Sequence, residues 1–342
     1  MSTEQQSSHK NVEGPDHILD LTITQWYDKE HTDDERIKTR NEIANYTLNT
    51  YIQNLKQGEA MPKPETLGVI LESLELVEKL REITVTDNAS FDPKIEVVLV
   101  LTGPGLFLSK NKPNDQYTQN TYRWLNRDRV LGGMAYARRV AIEKKVAAEG
   151  TSVDKQNLTW EDLEKYGPVI FFNGTVAENE ELNLILQNWD KYGWDESFVD
   201  EYPIIKHFPY PTKLPYPPSK IKISSRPTRH TGEQFTNLAQ EIGPDGIIAG
   251  AKNISIVSNV LDFIRIGNYA QKLVSHDTAL TNGLSFWAYP LRVRRSDNRG
   301  NSDTVPEYAK NELIRLATYY QIDHLAEHPY PFKNLARKEI HL

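Results

Sequence analysis

Four apolar runs in this chain end in residues suited to binding rather than packing. "VLVLTGPG" closes on Thr102, Gly103 and Gly105; "FFNGT" on Gly174 and Thr175; "KISSR" on Ser224, Ser225 and Arg226; and "ISIVSN" on Ser258 and Asn259. Small and hydroxyl side chains at such a point leave backbone N–H groups exposed, which is the chemistry of an anion or nucleotide cradle. Arg265 lies about one turn into the helix after Asn259, and helical side chains lean toward the N-terminus of their own helix. Its guanidinium therefore reaches back to that lip, where it either holds a phosphate or carboxylate or makes an ion pair. Asp262 sits in the first turn, where it suits the helix dipole or pairs with Arg265 at i, i+3.

Two of the following helices open on threonine. Thr231-Gly232-Glu233-Gln234 and Thr175-Val176-Ala177-Glu178 both have capping-box spacing, which accounts for them without a ligand. Glu180 and Glu233 are candidate ligand contacts, and act as acid and base only if the fold brings them to one reacting atom. No dinucleotide G-x-G-x-x-G, no phosphate-loop G-x-x-x-x-G-K-[ST], no H-E-x-x-H and no G-x-S-x-G elbow is present. His207, His230, His324 and His328 lack metal-site spacing, and the Arg292–Arg295 run "RVRR" reads as a solvated loop or an anion-facing gate.

The elements that must carry these residues follow from periodicity. Residues 1–16 read as a flexible tail and 17–90 as an N-terminal helical extension, with stripes at Ala44, Leu48, Tyr51, Ile52 and Leu55 and at Leu67, Ile70, Leu71, Leu74 and Val77. From residue 91 to 342 the chain alternates strands ("IEVVLVL", "GPVIFFN", "SKIKIS", "NISIVSN", "LSFWAYP") with helices, which predicts an α/β domain with a mostly parallel sheet covered on both faces. Ligands of such sheets bind beyond the carboxyl ends of the strands. Stretches near 107–129 and 200–220 read as insertions; the second contains Pro203, Pro209, Pro211, Pro215, Pro217 and Pro218.

Composition sets the outer bounds. The 342 residues include no cysteine, which excludes disulfides, thiolate metal sites and thiol nucleophiles. A formal net charge of -7 argues against a broad nucleic-acid surface. No apolar run approaches the roughly 18 residues of a membrane span, and the polar N-terminus has no secretory h-region, so the expected location is the cytoplasm.

The ordered motifs resemble the YdcF/SanA/ElyC family of bacterial proteins, and most closely its YdcF branch. The likeness rests on Val97–Gly105, on Gly174 in "FFNGT", on Glu180, on Thr231 and Glu233 in "HTGEQF", and on Ser258 and Arg265 in "VSNVLDFIRI"; it covers about residues 91–325. Asp262 stands where the family has histidine, and Gln234 where it has asparagine. The resemblance implies a Rossmann-like doubly wound fold and, for the YdcF branch, binding of S-adenosylmethionine without an established reaction. Carried over, Thr102, Gly103, Gly105, Gly174, Thr175, Thr231, Ser258 and Asn259 line a cleft for a small nucleotide-like or anionic ligand, Glu180 and Glu233 meet ribose hydroxyls or an ammonium group, and Arg265 holds a carboxylate or phosphate. Two alternatives stay open: a transferase or hydrolase for a phosphate-bearing sugar or lipid in envelope metabolism, and a protein-interaction module whose long loops make the contact.

Overall fold

Runs of valine, isoleucine and phenylalanine too apolar to face water on either side demand a sheet covered twice, and the chain builds one. The computed structural model describes residues 15–28, 31–57, 59–86, 91–101, 124–150, 158–191, 213–226, 228–276, 281–291 and 305–335. Five strands, β1 (Val97–Leu101), β2 (Val169–Asn173), β3 (Ile221–Ile223), β4 (Asn253–Asn259) and β5 (Ser285–Leu291), pair in the order β3-β2-β1-β4-β5. All four pairings are parallel; Val97 aligns with Val169 on one side and Ile254 on the other. The order turns back at β1, so β1 and β4, far apart in sequence, lie side by side.

Helices cover both faces. Val98, Val100, Ile170, Phe172, Val257, Trp287 and Tyr289 pack under α4 (Trp124–Glu149), α5 (Trp160–Tyr166) and α6 (Val176–Gln187). Val97, Leu99, Leu101, Phe171, Ile254, Ile256, Phe286 and Ala288 pack under α7 (Thr231–Ile242), α8 (Phe263–His276) and α9 (Val305–Gln321). The alternation of inward residues along each strand is the ordinary two-residue period of a pleated strand.

The N-terminal helices α1 (Pro15–Asp28), α2 (Asp33–Gln53) and α3 (Thr66–Thr86) belong to this second layer. Ile70, Leu74, Val77 and Leu80 of α3 are fully buried in the cluster that also holds Ile264 and Leu313. Gly267 permits the close approach of α3 to α8, since a Cβ there would lie 2.6 Å from Leu76 Cδ2. Two expectations shift. The stretch read as a tail to residue 16 gives way to α1 at Pro15, whose Leu19, Ile23, Trp26 and Tyr27 are buried. The insertion read over 107–129 overlaps α4 from Trp124; residues 102–123, most of 200–220 and the Arg292–Arg295 run lie outside the described residues.

Two details position the carboxyl rim. At α4 a glycine pair lets the helix lie against the strands: a Cβ on Gly133 would sit 2.5 Å from Val100 Cγ2, and one on Gly132 2.7 Å from Leu291 Cδ2. At the far edge, the backbone of β5 is closed by the C-terminal segment. Lys333 N–H donates to Phe286 O at 2.9 Å, and the Asn334 side chain accepts from Ala288 N–H at 3.0 Å while donating to Ala288 O at 2.8 Å. No helix among the described residues is long and apolar enough to cross a membrane.

Gly133→Ala is expected to destabilise the fold by about 1–3 kcal/mol through overpacking. Gly68→Ala, in the first turn of α3 with nothing within 4 Å of the new methyl, is expected to stabilise it by about 0.5–1 kcal/mol. Urea midpoints of the two variants should move in opposite directions.

Candidate functional site at the strand ends

The carboxyl ends of β1 and β4 meet around one buried guanidinium. Arg129, on α4 and 1 % exposed, donates through Nη1 to Leu101 O at 3.1 Å and through Nη2 to Asp262 Oδ2 at 2.6 Å. Nη2 also approaches the Tyr308 hydroxyl of α9 at 3.4 Å. Burial opposes the charge, but the Asp262 carboxylate and its neighbours outweigh it and hold the guanidinium above its ordinary pKa. Asp262 is equally committed. It also accepts from the Ser258 hydroxyl, from the Tyr308 hydroxyl and from the Asn259 backbone N–H at 3.1 Å. It lies in a 3-10 turn, Val260–Asp262, that joins β4 to α8. The side chain standing where the resemblance expects histidine is thus the acceptor that gathers the rim.

Beside this cluster are polar atoms without partners. Asn259 is 0 % exposed, and among the described residues neither its amide oxygen nor its amide nitrogen has a hydrogen-bond partner; the oxygen is placed toward the Asp262 N–H in capping-box fashion. Arg129 Nε is likewise buried and without a partner among the described residues. By strand alternation Asn259 follows Val257 onto the face that α4 covers, beside Leu291 of β5. Buried polar groups are nearly always satisfied by protein or ordered water, so three such atoms beside one carboxylate mark a place where a water or a ligand can bond.

The ends of β2 and β3 are organised differently, by carboxamides that bond one another. Asn173 Nδ2 donates to Gln234 O at 2.6 Å and Gln234 Nε2 returns to Asn173 O at 2.7 Å. Asn237 Nδ2 reaches Asn173 Oδ1 at 2.9 Å and Ser224 Oγ at 2.7 Å. Asn179 accepts from Gly174 N–H at 3.0 Å and donates to Ser224 O at 2.8 Å, while Thr228 donates to Gly174 O. Gly174 is therefore held through both of its backbone polar groups.

Thr175 forms the expected capping box with Glu178, its N–H donating to Glu178 Oε2 at 2.8 Å and its hydroxyl accepting from Glu178 N–H at 3.3 Å. Thr231 does not cap α7. The cap moves back to His230, whose Nδ1 accepts from Glu233 N–H at 3.4 Å, because Gln234 is drawn away to Asn173. Glu233 is bound by Arg229, whose hydrogen bond holds its carboxyl below the ordinary range. Glu180 is exposed on α6. Thr102, Gly103 and Gly105 fall outside the described residues.

Arg265 is occupied. Its Nε and Nη2 form a bidentate pair with Glu312 of α9 at 2.7 and 3.0 Å, and Glu312 also accepts from Arg315 at 3.1 Å. Burial opposes the Arg265 charge, and Glu312 overrides it to raise the pKa. Its carboxylate partner, not a bound anion, meets the fork in this structure. Sequence reasoning missed Arg129, Tyr308, Glu312 and the Asn173–Gln234–Asn237 amides; the glycine pair three and four residues beyond Arg129, one turn further along α4, was the available sign of close helix–sheet contact. Among the described residues no group of three or more His, Asp or Glu is placed to hold a metal ion.

No family model matches this chain, and no curated protein or solved structure matches it.

Arg265→Met leaves Glu312 buried without its main partner, and is expected to cost about 3–5 kcal/mol in chemical denaturation. Replacing both partners, Arg265→Met with Glu312→Leu, should restore most of that loss, and the double-mutant cycle measures the coupling.

Proposed function

We propose that this chain is a Rossmann-like, doubly wound α/β protein of the YdcF type that binds a small nucleotide-like molecule at the carboxyl rim between β1 and β4. The observation that carries this reading is the cluster of buried, unpartnered atoms on Asn259 and Arg129, placed where the strand order turns back. A carboxamide offers one acceptor and two donors, and Arg129 Nε one further donor. That set suits a ligand edge carrying both donors and acceptors, such as a nucleobase, better than a bare phosphate. Arg265, the cation expected to hold an anion, is neutralised by Glu312, which also favours the neutral edge. S-adenosylmethionine, the ligand implied by the family resemblance, presents such an edge on its adenine. Glu180 is exposed and Glu233 is bound by Arg229, so nothing here favours acid–base turnover at the rim.

Thermal unfolding with S-adenosylmethionine, adenosine and AMP tests the proposal. A probe at a hundred times its dissociation constant should add about 2.7 kcal/mol of stability. Asn259→Leu should abolish that gain while leaving the unliganded protein as stable or more stable, because an unsatisfied buried amide is replaced by an apolar side chain of similar size. Failure of all three probes, together with a loss of about 1–3 kcal/mol in unliganded Asn259→Leu, would show the amide to be a structural group bridged by water.

A further inference from the structure

Beyond the start of α7, three rings from two parts of the chain lie together. His230, at the start of α7, Tyr319, in the last turn of α9, and His324, just beyond α9, have ring centroids 6.1, 6.2 and 6.3 Å apart. The three distances make a near-equilateral triangle, and the ring planes lie within 26° of one another. Three rings so arranged cannot all stack squarely on one another; they form an offset, near-parallel aromatic cluster. Core rings here pack both ways: Phe235 and Tyr269, both buried, lie 5.6 Å apart with planes at 18°, whereas others meet edge to face. Phe263–Phe332, Phe286–Tyr330 and Tyr330–Phe332 meet edge to face at 79°, 86° and 72° in the core.

One face of the Tyr319 ring is covered from the interior. Arg265, locked by Glu312, stands 5.7 Å over the Tyr319 ring from within the protein. His324 is exposed and the His230 side chain is about one-third exposed. His324 makes no hydrogen bond among the described residues beyond its backbone N–H to Tyr319 O at 2.9 Å, which pins the loop so that its ring stays beside Tyr319. Asp323 immediately before it has φ of 59°, the left-handed conformation that turns the chain back over the end of α9. A guanidinium beneath one face draws electron density inward and suits the opposite face to stack on an electron-rich planar ring.

We propose that His230, Tyr319 and His324 form a stacking shelf that binds a planar heteroaromatic ring of the nucleobase class, distinct from the Asn259–Arg129 cluster between β1 and β4. Base–aromatic stacking tolerates any base because every base has a π face, so the shelf selects flatness rather than a hydrogen-bond pattern.

The test uses the full chain and histidine Cε1–H resonances, with adenosine and uridine as probes. His230→Asn, which keeps a capping acceptor for α7, and His324→Ala, at an exposed position, each remove one signal and so assign it; unchanged melting midpoints confirm that both variants fold. Adenosine is expected to shift both signals upfield by ring current in a saturable way, with uridine weaker. Each variant should weaken the adenosine titration at the remaining signal at least tenfold, and Asn259→Leu should leave it unaltered, which separates the shelf from the Asn259–Arg129 cluster. Absence of saturable shifts up to 10 mM of either probe, or titrations equal in variant and parent, overturns the shelf. Loss of the shifts in Asn259→Leu overturns its independence of that cluster.

Discussion

A single buried guanidinium holds the carboxyl end of this sheet together. Arg129 leaves α4 on one face, crosses the ends of β1 and β4, and meets Asp262 and Tyr308, whose elements belong to the other face. Such a buried pair adds little over apolar side chains of the same shape, while loss of either member alone is severe. Its consequence is geometric. It fixes how far α4 stands from α9 across the strand ends, and with Ser258 and the Asn259 N–H on the same carboxylate it sets the direction in which β4 leaves the sheet. The glycine pair below Arg129 makes that reach possible, since any side chain there would push α4 away from Val100 and Leu291.

The strand-end rim therefore divides into two regions of different character. At β2 and β3 the amides of Asn173, Asn179, Gln234 and Asn237 bond one another and the backbone. Small-residue turns there, including Gly174, serve to bring α6 and α7 onto the sheet. At β1 and β4 the bonds converge on Asp262; among the described residues three atoms of Asn259 and Arg129 are left over there, against the single Asn237 Oδ1 at the other end. The same inventory of small and polar residues thus serves architecture on one side of the sheet, and the candidate ligand contact lies on the other.

Much of the frame was legible because two-sided burial writes long apolar runs into the sequence. The residues "NISIVSN" form β4 from end to end, and "VIFFN" forms β2. The helix α1 escaped notice although Leu19, Ile23, Trp26 and Tyr27 carry helical spacing, because a polar tail precedes them without a break. The core of the site was harder to read. Arg129 and Asp262 are separated by 133 positions, and Arg129 and Tyr308 by 179, so no local pattern announces either pairing. The capping of α7 shows the same limit on a small scale. Thr231-x-x-Gln234 and His230-x-x-Glu233 both have the right spacing, and only the pull of Asn173 on Gln234 decides between them.

The closure of β5 by Asn334 has a consequence for how this protein meets other chains. An open strand edge is a template on which another backbone can lie. One carboxamide, occupying both the N–H and the C=O of Ala288, performs there the task of a sixth strand. With Lys333 N–H and the Tyr330 hydroxyl on Phe286, it occupies the middle of the β5 edge, while the opposite edge, β3, offers only the three residues Ile221–Ile223 of register.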